Sequence, residues 1–164
     1  MGLIVWPRSY MNLILMVVTL MASSVLMTAA TFAPSAPQPA GPAEAIPASL
    51  QWPIDGKFLQ GFGYGHRGID IGDPYGTPVG ASADGLVKEV TWERGYGKYV
   101  VVDHGNGVET LYAHLADTGV EAGQPLAAGD TLGWVGATGY ATTTHLHFEV
   151  HVDGWAQNPL GYLP

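Results

Sequence analysis

The stretch His145-Leu146-His147-Phe148-Glu149-Val150 alternates polar and apolar residues without a break. That period belongs to a strand with one buried face and not to a helix. Extended, it carries His145, His147 and Glu149 on one face and Leu146, Phe148 and Val150 on the other. The apolar face can cover a core while the opposite face presents two imidazoles about 7 Å apart, at a rise of roughly 3.3 Å per residue. Neutral imidazole is the commonest metal ligand and a common general base near neutral pH. A single His-x-His also occurs on ordinary exposed strands, so the remaining ligands must come from elsewhere in the chain.

The surrounding sequence also favours strands. With 23 Gly and 12 Pro, and only 12% of residues charged, it suits short strands joined by tight turns. Residues 77–81 and 85–90 read as short strands separated by an Ala-Asp-Gly turn. Residues 98–104 form a stronger strand, which Gly105-Asn106-Gly107 closes as a hairpin so that residues 108–115 return antiparallel to it. Glycines at 123, 129, 133, 136 and 139 punctuate two or three more short strands before His145. The expected fold is all-β: a small antiparallel sandwich or half-open barrel of short strands with long loops, preceded by an N-terminal apolar helix.

That helix falls in residues 1–33, where Arg8 precedes an uncharged apolar run from Met11 to Ala33. The run suits a secretory signal peptide or a single-pass membrane anchor, since about 20 apolar residues span a bilayer. Thr28-Ala29-Ala30 and Thr31-Phe32-Ala33 are both acceptable cleavage sites. Residues 34–49 are a Pro/Ala-rich linker, expected to be extended. Residues 50–164 are then an exported domain in the periplasmic or cell-wall space, either anchored or secreted, with Arg8 on the cytoplasmic side. A net charge of −8 with 6 Lys+Arg argues against a nucleic-acid partner. The chain has no cysteine, so any metal must be held by histidine and carboxylate.

His66 and Asp70 are the natural companions of the His-x-His. In a straight strand their Cα atoms would be about 13 Å apart, slightly too far to share one ion. The chain must bend between them, and Gly68 permits it. A bend presenting His66 and Asp70 opposite a strand presenting His147 yields a His₂Asp set with an open fourth position, as in catalytic zinc sites. Such an ion polarises a scissile carbonyl and acidifies water. The reaction then needs a base, for which His145 is placed, and a partner, for which His114 in Tyr112-Ala113-His114-Leu115 is the candidate. His114 would either stabilise the developing charge or shuttle the proton.

His66-x-Gly68-x-Asp70, Tyr112-x-His114-Leu115 and His145-x-His147-Phe148 stand in the order found in the LytM/lysostaphin-type zinc endopeptidases of the cell wall, which residues 50–164 resemble throughout. The stretches 95–105 and 133–139, and Asn158-Pro159, are similar as well. The resemblance implies one zinc ion on His66, Asp70 and His147, with His114 and His145 catalytic. It also implies cleavage of peptide bonds in peptidoglycan stem peptides or cross-bridges. The loop before His66 is shorter than in many relatives, Thr143-Thr144 replaces a usual Gly-Pro, and His151 stands where a basic residue is frequent.

Other conspicuous residues have plainer explanations. His104 is a turn residue at a strand end, His151 an exposed histidine, and Asp73-Pro74-Tyr75-Gly76 a turn. Glu149 suits a salt bridge, or a hydrogen bond that orients a ligand. Tyr64 and Tyr112 fit substrate contact and packing equally, and Trp92, Trp134 and Trp155 fit core or rim. A non-catalytic wall-binding or amidase-activating module is the alternative function, although such relatives typically lack one of the five site residues. A lipoyl-type carrier would need a lysine at a hairpin tip, and none follows Lys98.

Overall fold

Period-two segments and glycine turns become ten antiparallel strands in a computed structural model that describes residues 50–164. The apolar run and the Pro/Ala linker expected at residues 1–49 lie outside the described residues. The strands are β1 (Lys57–Gln60), β2 (Ile69–Gly72), β3 (Pro78–Gly80), β4 (Gly85–Glu93), β5 (Gly97–Asp103), β6 (Val108–Thr118), β7 (Pro125–Leu126), β8 (Thr131–Val135), β9 (Leu146–Val152) and β10 (Trp155–Gln157). A 3-10 turn at Pro159–Gly161 is the sole helical element among the described residues, none of which form a helix long and apolar enough to cross a membrane. The domain is all-β and antiparallel, as expected.

Hydrogen bonds join the strands into one branched sheet in the order β1-β2-β9-β6-β5-β4-β7, with β10 on β9 and the pair β3-β8 attached to β6. The hairpin expected at Gly105-Asn106-Gly107 is present, with all three residues at positive φ and Asp103 opposite Glu109. At its centre β6 pairs with β5 along one edge. Its other edge changes neighbour, pairing with β9 over Val108–Ala113 and with β8 from Leu115 onward. The sheet therefore forks at His114, whose φ of 61° lies in the left-handed region.

Strand β9 behaves as its alternation requires. Leu146, Phe148 and Val150 are fully buried among Ile69, Ile71, Leu115 and Leu132. Each such side chain contributes about 1.5–3 kcal/mol by leaving water. The opposite face carries His147 and Glu149, and Asp70 on β2 stands directly opposite His147. Gly68 has a reason beyond the bend. A Cβ there would run into the Phe148 carbonyl oxygen and the Glu149 side chain, so glycine lets the chain before β2 lie flat on β9. The obstacle is backbone already committed to a ladder and cannot give way. Gly68→Ala should therefore destabilise the domain by about 1–3 kcal/mol, read as a lower denaturant midpoint at unchanged slope.

Candidate metal centre and cleft

Each candidate residue reaches the site by a different local device. His66 follows a tight turn in which the Gly63 and His66 backbones exchange hydrogen bonds of 3.0 Å around Tyr64 and Gly65, the latter at φ 77°. Asp70 and His147 are a cross-strand pair on β2 and β9. His145 stands just before β9, bridged to Gly136. His114 depends on a bulge. Lys98 pairs with Leu115 and Val100 with Tyr112, so Ala113 and His114 together oppose the single residue Tyr99. Simple alternation would send His114 into the core behind Tyr112. The left-handed bulge turns it to the His147 face instead, at a backbone cost of about 1–2 kcal/mol.

These residues line one wall and the floor of an open cleft of about 330 Å³, with Gln60, Gly95, Tyr96, Tyr140 and Thr142 around them. His66 Nε2 lies 3.1 Å from both Asp70 Oδ1 and His147 Nδ1, and His147 Nδ1 lies 2.8 Å from Asp70 Oδ1. The ring centroids of His114 and His145 are 4.7 Å apart, and His145 Nε2 is 3.7 Å from Asp70 Oδ1.

The tautomers follow from the partners on the far side of each ring, because a carbonyl or carboxylate oxygen can only accept. His66 Nδ1 donates to the Gly61 carbonyl at 2.9 Å, His114 Nδ1 to Thr138 at 2.8 Å and His145 Nδ1 to Thr143 at 2.8 Å. His147 is reversed, its Nε2 donating to Glu149 Oε1 at 2.9 Å. With Nδ1 spent on these carbonyls, His66, His114 and His145 turn Nε2 toward the cleft, and His147 turns Nδ1. Three acceptors, on His66, Asp70 and His147, face one another with no donor of their own between them.

That donor set fits a cation. Tetrahedral ligands about 2.05 Å from zinc stand about 3.3 Å apart, close to the separations of 2.8–3.1 Å among these three atoms. Two nitrogens and one oxygen favour zinc over magnesium or calcium, which prefer all-oxygen shells. Without a cation, a proton must occupy the same space. Burial alone would depress the His147 pKa, but hydrogen bonds to Asp70 and Glu149 carry it up to about 9. Burial raises the Asp70 carboxyl while its hydrogen bond to His147 brings it, on balance, below the usual range. At His114 burial dominates and lowers the pKa, so this ring is neutral at pH 7.

Behind the centre lies Glu149, whose side chain is wholly buried. Oε1 accepts from His147 and, at 2.7 Å, from the Tyr96 hydroxyl, and Oε2 accepts from His151 Nε2. Burial would raise its pKa, yet these three donors hold it far below the ordinary carboxylate range. Burial and then Glu149 push the Tyr96 phenol upward, so it stays a donor. Glu149 thus orients a ligand, as its place in the alternation suggests. His151 is not the exposed residue expected, because its partnership with Glu149 draws it into a half-buried position.

The structure separates the two readings left open for the tyrosines. Tyr64 is fully exposed, whereas Tyr112 is a core residue with its hydroxyl on the Ser82 amide and Thr110. Tyr96 and Tyr140 border the cleft instead, and the glycines flanking Tyr96 were the one sequence signal for a loop there. His104 follows β5 and spends both ring nitrogens on Asp84 and Thr110, outside the cleft lining. Trp92 and Trp155 are exposed and Trp134 is half-buried.

Comparison with known proteins agrees with this geometry. The model of Peptidase family M23 matches residues 64–159. The chain is 46% identical over 95 residues to the DD-carboxypeptidase/endopeptidase Mpg of Neisseria meningitidis serogroup B, covering 58% of this chain and 22% of that protein. It is 36% identical over 143 residues to the murein hydrolase activator NlpD of Salmonella dublin, covering 84% of this chain and 38% of that protein. A zinc-containing peptidase from Vibrio cholerae superposes with a TM-score of 0.65 at 31% identity, over 68% of this chain and 39% of that one. The chain thus spans well under half the length of these relatives.

Two outcomes are expected. Glu149→Gln would remove the buried negative charge that accepts from His147 Nε2 and leave a weaker, neutral acceptor behind the ligand. Zinc affinity should fall about 10–100-fold, measured by chelator competition. Because metal-free His147 is protonated at pH 7, zinc uptake should release about one proton there. Uptake should weaken as pH falls and the proton competes better, which calorimetry in buffers of different ionisation heat will report.

Proposed function

The chain belongs to peptidase family M23, and on that premise we propose that it is a zinc-dependent endopeptidase cutting peptide bonds in peptidoglycan stem peptides or cross-bridges. The observation that carries this reading is the set of three converging lone pairs on His66, Asp70 and His147, flanked by two further imidazoles with free Nε2 atoms. His66 Nε2, Asp70 Oδ1 and His147 Nδ1 would hold one zinc ion. When bound there, the ion supplies Lewis acidity to the scissile carbonyl and to water.

The chain's own groups do the rest. His145, its Nδ1 fixed on Thr143, takes a proton from the attacking water at Nε2 and later delivers it to the leaving amine. His114, neutral because it is buried and with its Nδ1 fixed on Thr138, keeps its Nε2 lone pair toward the cleft, where it takes that proton over from His145 and hands it back. Glu149 and Tyr96 do not touch the reacting atoms. They hold the His147 ring in register.

The remaining organisation is proposed on the same footing. Residues 1–33 export the domain as a signal peptide or anchor, residues 34–49 tether it, and residues 50–164 act in the periplasmic or cell-wall space. Similarity to NlpD favours a second reading, a non-catalytic activator of wall hydrolases. The complete donor set and both flanking imidazoles weigh toward the enzyme.

The test is incubation of the full chain with purified peptidoglycan, counting newly exposed amino groups. Release abolished by chelator and restored by zinc is expected; no release from zinc-loaded protein would instead support the activator. His147→Ala should lose both zinc and turnover. His145→Ala should keep zinc near wild type and lose about 10²–10⁴-fold in turnover. If it loses the metal instead, the two histidines have exchanged roles.

A further inference from the structure

The cationic side chains of this acidic chain are unevenly engaged. Among the described residues Lys88 is paired with Glu109 and Lys98 with Asp117. Arg94, Arg67 and Lys57 are exposed and make no ion pair there, although the chain carries a net charge of −8. Neither arginine lines the cleft itself, but Arg94 adjoins it through Tyr140 and Arg67 through His66 and Tyr96. Arg94 lies in the β4–β5 turn beside Gly95 and Tyr96, with its guanidinium carbon 5.6 Å from the centre of the Tyr140 ring. Tyr140 is tied to that turn by a 2.9 Å hydrogen bond from its amide to the Gly95 carbonyl. Arg67 follows His66 and faces the Tyr96 hydroxyl.

The contact with Tyr140 holds the guanidinium over the ring, and its N–H groups are spent on no ion pair among the described residues. That is the arrangement in which arginine binds a carboxylate through two parallel hydrogen bonds. With no carboxylate of the described residues paired to it, Arg94 keeps its full charge for an anionic ligand, against the repulsion of the chain's overall negative charge. A peptide carboxylate is the anion that a peptidoglycan stem offers to such a cleft. Resting on the endopeptidase reading, we infer that Arg94, braced by Tyr140, is a specificity residue that binds a free carboxylate of the substrate peptide beside the scissile bond. Arg67 reinforces the positive rim.

The experiment uses the full chain and a pair of synthetic cross-linked stem peptides that differ only in a free or amidated C-terminal carboxylate. Cleavage is followed with wild type. Binding is followed by fluorescence polarisation of the labelled peptides on His145→Ala, which holds them uncut. Wild type should prefer the carboxylate at least about tenfold in kcat/KM, matching a two-hydrogen-bond contact in a solvent-exposed setting. Arg94→Gln should bring the ratio to within about twofold at unchanged zinc content, in cleavage and in binding when combined with His145→Ala. Lys57→Gln, an equal charge change on β1, should keep the preference.

Equal treatment of the two peptides by wild type, or a preference that survives Arg94→Gln, overturns the inference while cleavage itself upholds the endopeptidase. A binding preference lost in Arg94→Gln with no cleavage by wild type supports the subsite and sinks the endopeptidase. Neither binding nor cleavage overturns both.

Discussion

The left-handed backbone at His114 is the constraint on which the cleft depends. β6 is a single strand with two successive neighbours on one edge, β9 and then β8, and the change falls at this residue. The bulge lets β8 take over the edge and turns the His114 imidazole out of the core toward His145 and His147. A non-glycine residue adopts that conformation only where its surroundings over-determine it. Here the His114 amide is held by the Tyr96 carbonyl at 2.8 Å and its ring by Thr138. Thr138 is itself fixed, its hydroxyl bridging the Lys98 amide and the Leu115 carbonyl. One strained residue thus ties the wall of the cleft to the centre of the sheet.

A second dependence runs through Glu149. A buried carboxylate costs several kcal/mol unless donors surround it, and this one has three, from His147, His151 and Tyr96. The arrangement fixes His147 with Nδ1 toward His66 and Asp70, reversing the orientation of the other three rings. The buried charge also rationalises His151 as a donor to the second oxygen. Tyr96 serves two ends, since its carbonyl holds His114 while its hydroxyl holds Glu149. The centre and its flank therefore share a support.

Much of this was legible in the chain. Alternation at residues 145–150 specified a strand with one buried face, and the structure buries Leu146, Phe148 and Val150. Gly105-Asn106-Gly107 specified a hairpin because successive positive φ angles suit glycine and asparagine. The absence of cysteine left nitrogen and oxygen as the possible metal donors. The spacing from His66 to Asp70 required a bend, though not the close approach to β9 that makes Gly68 necessary. His151 went the other way, and Tyr112 was left open between packing and substrate: alternation could place them on faces, but it could not reveal what each face met.

The sequence by itself determined the strands, their buried faces, the turns and the chemical type of the site. Period-two alternation and turn stereochemistry are local, acting over a few residues, so a single chain displays them. Tertiary structure alone decided that His114 turns outward, that Tyr96 reaches Glu149 across 53 positions, and that Tyr140 lies under Arg94. Those outcomes depend on the register of strands distant in sequence and on which neighbour occupies each edge. Register emerges when the whole sheet closes around its core, so no local stretch encodes it.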